Sequence, residues 1–232
     1  HAYSEYSEWL ASRYAKQGAS CQDCHMTPTG RMKNVAPGHG GIDRDPQTLA
    51  SHRSTRFDPS ALRAHLSLTL KCKQLAEGLQ VRTTVRAHDI GHRMPTGYPG
   101  RQLILWVQVT TGDGKSLELL RGPVLPRLAG QGPVDRGGLA GQPGRMYAKV
   151  FGGPHGEKPV PYWRAARLQY DTRLLPDEVD RRRFLFRQAE GDRRVTVCVK
   201  LIYRRFSKYL ADQKGWPDNE FLVTRKQWSI PR

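Results

Sequence analysis

The apolar positions of this chain change period once, near Gly78. Upstream, Tyr3, Tyr6, Trp9 and Leu10 recur at helical spacing, and Ser4–Ala15 contains neither Pro nor Gly, so a helix is predicted there, ended by Gly18. Residues 26–48 are rich in Gly, Pro and polar groups and predict an irregular wrap. Asp58-Pro59-Ser60 reads as a helix start, with Asp58 as the N-cap and Pro59 at the first helical position. That helix would carry Ala61, Leu62, His65, Leu66 and Leu70, apolar on one face.

Downstream of Gly78 the period is two: Leu79, Val81, Thr83 and Val85 alternate with polar residues. Leu103–Val109 predicts a strong strand, Gly112-Asp113-Gly114-Lys115 a hairpin turn, and Ser116–Arg121 the returning strand. Gly and Pro throughout 122–144 predict loop. Further short strands are expected at Arg145–Phe151, Ala165–Asp171, Arg181–Arg187 and Arg194–Tyr203. The last segment, Ser207–Arg232, reads as short helix or coil docked by Trp216, Phe221 and Trp228. The expected fold class is α+β, mostly β. A helical, loop-rich module over 1–76 leads into an antiparallel, Ig-like β-sandwich over 77–206 and a C-terminal docking tail over 207–232.

One motif changes the picture. Cys21-Gln22-Asp23-Cys24-His25 has the spacing of a c-type haem attachment site, and it occurs once. Two thiols so spaced bond to the two vinyl groups of one porphyrin, and the adjacent histidine reaches the iron as proximal ligand. A zinc site would need a second ligand pair, and no second C-x-x-C exists. A thioredoxin-like pair would want a βαβ context, which the pattern lacks. The sequence therefore predicts one covalent haem c on Cys21, Cys24 and His25. Haem c is attached outside the cytoplasm in bacteria, so a periplasmic or extracellular chain is expected. No leader and no apolar run of about 20 residues is visible, which fits a mature exported chain or a piece of a larger polypeptide.

The four cysteines leave Cys72 and Cys198 outside the motif. In an oxidising compartment they pair or remain as buried free thiols, and the sequence leaves both open. The net charge of +17 comes from 38 Lys and Arg against 21 Asp and Glu. Such a field draws acidic partners, while its ordinary counterpart is a solubilising Arg-rich surface. Nucleic acid is not an expected partner of an exported cytochrome.

At these residues the chain resembles the last haem segment and β-sandwich of periplasmic and extracellular multihaem c-type cytochromes. The resemblance is carried by Tyr6-Ser7-Glu8-Trp9, Ser20-Cys21-Gln22-Asp23-Cys24-His25-Met26, Ser51-His52-Arg53 with Phe57 nearby, and the turn Gly91-His92-Arg93-Met94-Pro95-Thr96-Gly97 followed by Arg101. Asp171-Thr172-Arg173 with Pro176 matches a late strand-and-turn segment of the same pattern. Such proteins carry several C-x-x-C-H sites and this chain carries one, which makes it a monohaem relative, a subunit stacked beside other haem proteins, or a fragment.

The sixth iron ligand is expected among the remaining histidines and methionines. His52 leads, because it lies in a polar segment able to fold back over the ring and because the resemblance favours it. His92, in its constrained Gly/Pro turn, and His39, in Gly38-His39-Gly40-Gly41, are the runners-up. His65 reads as packing, and His88 and His155 as loop histidines. Met26 is too close to His25 to reach the other face, whereas Met32 and Met94 stay open. His1 offers an amine and an imidazole that together chelate copper, or it is simply the first residue after a cut.

A bis-His haem has no open position and passes electrons, so the leading function is electron transfer to or from a neighbouring, acidic haem or redox protein, in a larger assembly. An enzyme with an open distal site acting on a small anion or peroxide is the second function, with Arg31, Arg53 and Arg93 as anion contacts and Asp23 as a solvated loop residue. A structural subunit stapled by its haem is the third.

Overall fold

The computed structural model describes residues 3–28, 30–50, 59–188 and 194–230. The predicted N-terminal helix is two short ones, α1 (Glu5–Leu10) and α2 (Arg13–Lys16). They break at Ser12, whose hydroxyl accepts from the Tyr14 N–H and caps the second. Next come α3 (Cys21–His25) and, after a 3₁₀ turn at Pro46–Thr48, α4 (Pro59–His65). Asp58, the expected cap of α4, lies outside the described residues.

At Leu66 the chain departs from the predicted helix and becomes β1 (Leu66–Leu75). Leu62, Leu66 and Leu70 recur every four residues as on a helix face, while Leu66, Leu68, Leu70 and Cys72 alternate as in a strand. Residue-by-residue pairing with β2 (Gly78–Ala87), from Leu66↔Ala87 to Leu75↔Gly78, decides it. A sheet strand thus lies inside the stretch expected to be helical.

The remaining strands are β3 (Gln102–Thr111), β4 (Leu119–Arg121), β5 (Gly144–Gly152), β6 (Arg167–Asp171), β7 (Val179–Phe186), β8 (Val195–Arg204) and β9 (Glu220–Ile230). All pairings are antiparallel, in one sheet of order β1-β2-β7-β4 and another of order β6-β5-β3-β8-β9.

Two further expectations need correction. The hairpin after β3 starts as predicted, with a bridge Thr110↔Ser116, but β4 then pairs with β7 in the other sheet. The tail is α5 (Lys208–Lys214) followed by an 11-residue edge strand, not helix or coil. Its register shifts opposite Leu201 and Ile202, which hides the period-two signal.

One apolar cluster draws on both sheets, with Leu68, Val81, Val85 and Phe184 from one and Leu105, Val107, Val197 and Val199 from the other. A second cluster, Ile104, Trp106, Leu125, Ala129, Leu139 and Met146, covers the far side of the five-stranded sheet with the 122–143 loop. Burial on both sides is why β3 reads as a continuous apolar run. The loop is pinned by buried Arg204, which donates to the carbonyls of Ala129 (2.6 Å) and Gly137 (2.7 Å) and to Glu220 (2.6 Å). No helix among the described residues is long and apolar enough to cross a membrane.

Candidate functional site

The Cys21–His25 segment is helical because its own side chains cap it. Ser20 and Asp23 form a capping box: the Ser20 N–H donates to Asp23 Oδ2 (2.6 Å), and Ser20 Oγ accepts from the Asp23 N–H (3.4 Å). The Ser20 N–H, and then the Ser20 hydroxyl (2.9 Å), donate to the Asp23 carboxyl and hold it below its usual range. Asp23 is thus the residue that shapes the helix, not a free loop carboxylate. Residues three and four apart share a helix face, so Cys21 lies beside Cys24 and His25. All three are exposed.

Upstream, α1 clamps onto the turn 91–97. Glu5 accepts from the Gly97 N–H (2.8 Å) and Thr96 Oγ1 (3.2 Å), and Glu8 accepts from the Arg93 N–H (2.9 Å). The other Glu8 oxygen meets Arg173 Nη2 (2.5 Å) and Ser4 Oγ (2.6 Å), while Arg173 also binds Asp171 (2.8 Å). The Glu8 and Arg173 side chains are only 10% and 5% exposed, so this is a buried ion-pair network. Burial alone would raise the Glu8 and Asp171 carboxyls. The hydrogen bonds and the Arg173 charge outweigh it and hold both below the usual range. Trp9 packs so close to Gly91 that a Cβ there would lie 3.2 Å from its ring, and its Nε1–H donates to Ala19 O (3.1 Å) just before α3.

On the far side, the turn is tied by paired backbone bonds between Met94 and Leu174 (2.9 and 2.8 Å), and Gly97 takes the left-handed φ of +78°. The clamp brings the His92 ring to the His25 ring. Their centroids are 6.0 Å apart and their planes 6° from parallel. Partial desolvation, and then the neighbouring His92, lower the His25 pKa and favour the neutral imidazole, the form that binds metals. His92 Nδ1 is buried without a hydrogen-bond partner among the described residues.

Of the predicted site residues, Cys21, Cys24, His25 and His92 are brought together here. His52, with Arg53 and Phe57, lies outside the described residues, as does His1. His39 is exposed in the turn 37–40. Met94 packs in the main core, which removes it as a ligand candidate. His65 and His88 lie beside each other at the α4–β1 junction, with His65 Nδ1 3.3 Å from His88 O. Cys72 and Cys198 are free thiols, and burial pushes the Cys72 pKa to about 12. Among the described residues no group of three or more His, Cys, Asp or Glu is arranged to hold a bare metal ion. The Glu5, Glu8 and Arg173 clamp is the part of the site that sequence reasoning missed. Its only trace was the pairing of a Glu-Trp helix with a distant Asp-x-Arg in the resemblance.

No family model and no curated protein matches the chain. A penta-heme cytochrome c552 from Thermochromatium tepidum matches in structure with a TM-score of 0.66 at 20% identity, over 99% of this chain and 51% of that one. The likeness is one of fold, a multihaem-cytochrome-like fold, and the chain spans about half the length of that protein. An Fcho1 mu homology domain from Danio rerio also matches, over 79% of this chain and 46% of that one, but at a TM-score of 0.23 and 10% identity it carries no argument.

Proposed function

We propose that the chain is a c-type cytochrome that carries one covalent haem on Cys21 and Cys24, with His25 and His92 as the two axial ligands, and that it transfers electrons to or from a neighbouring redox protein. The observation that carries this is the pair of near-parallel imidazoles 6.0 Å apart beside two exposed thiols one helical turn apart. Two neighbouring imidazoles beside two exposed thiols are the donor set that a haem c would use, so the residues present fit the group. When bound, the haem supplies one-electron chemistry. The protein's part is to hold: the Ser20–Asp23 box fixes the thiols and His25 on one short helix, and the Glu5 and Glu8 carboxylates fix the turn that bears His92.

The likeness to a penta-heme cytochrome supports a redox partner, and a lone haem needs one within electron-transfer distance. We further propose that the two sheets form an Ig-like sandwich serving as scaffold, that residues 1–76 hold the haem, that the C-terminal segment docks onto the scaffold, and that the protein works in the periplasm or outside the cell.

The visible spectrum of the haem-loaded protein tests this. A low-spin ferric spectrum unchanged by cyanide or carbon monoxide is expected, and His92→Ala should turn it high-spin while His52→Ala leaves it low-spin. The reverse pattern moves the ligand to His52. A high-spin, ligand-binding spectrum in the parent chain replaces electron transfer with catalysis at an open iron.

A further inference from the structure

Strand alternation gives the sheet β1-β2-β7-β4 an outward side of unusual chemistry. Opposite the core-facing Leu68, Val81, Val85 and Phe184 lie Lys71 and Lys73 of β1, Arg82 and Arg86 of β2, and Arg181 and Arg183 of β7. All six are exposed. The register sets Lys71 directly across from Arg82 and Arg82 directly across from Arg183, a row of three cations over three adjacent strands. Neighbouring strands are about 4.8 Å apart, and like charges facing each other at that spacing destabilise a sheet. None of the outward positions of these strands is Asp or Glu, and no ion pair among the described residues reaches any of the six. Arg182, one position over, points inward and does have its carboxylate, Asp180 at 2.6 Å.

We propose that this outward sheet face is the docking surface for an acidic protein. The guanidinium fork matches carboxylates bidentately, and the row offers two such forks and an ammonium side by side. Among the described residues β1, β2 and β7 carry no exposed large apolar or aromatic side chain, and a lone Leu120 on the short edge strand β4 is too little to insert into a bilayer or to stack on nucleobases, which favours a protein surface over either. Arg86 sits at the end of β2 that runs on into the turn bearing His92, so the array begins near the candidate haem site. The proposal rests on the electron-carrier function only for the partner being a redox protein.

The test titrates the haem-loaded chain with poly-L-glutamate at low ionic strength. Arg82→Glu/Arg183→Glu should weaken binding by at least about tenfold. The same charge change on the exposed edge strand, Arg225→Glu/Lys226→Glu, should weaken it by less than about threefold. Equal losses in the two variants, or no binding by the parent chain, overturn the proposal. Tighter binding to phosphatidylglycerol vesicles at matched charge overturns the protein partner in favour of a membrane. Arg82→Gln/Arg183→Gln repeats the measurement if the reversed variant fails to fold. The visible spectrum recorded alongside keeps the two questions apart, since a lost low-spin spectrum with intact binding indicts the haem ligands and not the docking face.

Discussion

The N-terminal segment and the sheets are held by different forces. Within the described residues up to 50, only Ser12 and Leu49 are buried, and the helices are four to six residues long. The described residues from Leu62 onward instead hold two apolar clusters. Helices that short do not persist by themselves, so the segment depends on a polar clamp and, with haem attached, on a covalent staple. The sheets depend on packing, which is non-directional and spread over many side chains. The lesson is that the site-bearing segment can be released by one substitution while the scaffold stands.

Arg173→Ala should show the largest effect. It removes the guanidinium shared by the Glu8 and Asp171 side chains, which are only 10% and 15% exposed, and should cost about 3–5 kcal/mol of docking free energy. Hydrogen exchange should rise over residues 3–25 and stay slow in β3 and β8. Uniform loss of protection would erase the distinction between the two regions.

Acid should do the same by degrees. Glu8 and Asp171 have lowered pKa values in the folded chain, so their contribution is full above the usual carboxylate range near pH 4 and is lost as pH falls through their lowered values. Proteolysis of the N-terminal segment should accelerate below about pH 4 while far-ultraviolet dichroism of the sheets holds.

A smaller effect is expected at Asp23→Ala, which removes half of the capping box and should be read as a broadened haem spectrum or faster exchange in α3 alone. The smallest is in the scaffold and has the opposite sign. Arg82→Thr relieves the like-charge row and should stabilise the sheets by about 0.2–1 kcal/mol in denaturant unfolding, without altering the N-terminal segment.

What could be read from the sequence followed from locality. β2 and β3 were legible because alternation and a long apolar run are local signals. β1 was not, because Leu66 and Leu70 belong both to a period of four that starts at Leu62 and to a period of two that runs on to Cys72, and only pairing with β2 chooses between them. β9 was hidden by a bulge and by the charged residues of an edge. At the site, Cys21, Cys24 and His25 are picked out as candidates by spacing alone. His92 was visible as a constrained turn residue, but its nearness to His25 comes from the clamp, whose two halves belong to opposite ends of the fold.

The distance along the chain between those halves has a consequence for assembly. Glu8 and Arg173 are 165 residues apart. In a polypeptide made from its N-terminus, α1 and α3 are complete long before their anchor exists. Non-local contacts form late because loop closure must precede them. The segment made first is therefore the one fastened last. Until then Cys21 and Cys24 stay open to chemistry, while the half-buried thiol of Cys72 is withdrawn as its sheet closes. The order of synthesis thus leaves the two thiols proposed to take the haem accessible, and withdraws Cys72, before the turn comes down over the site.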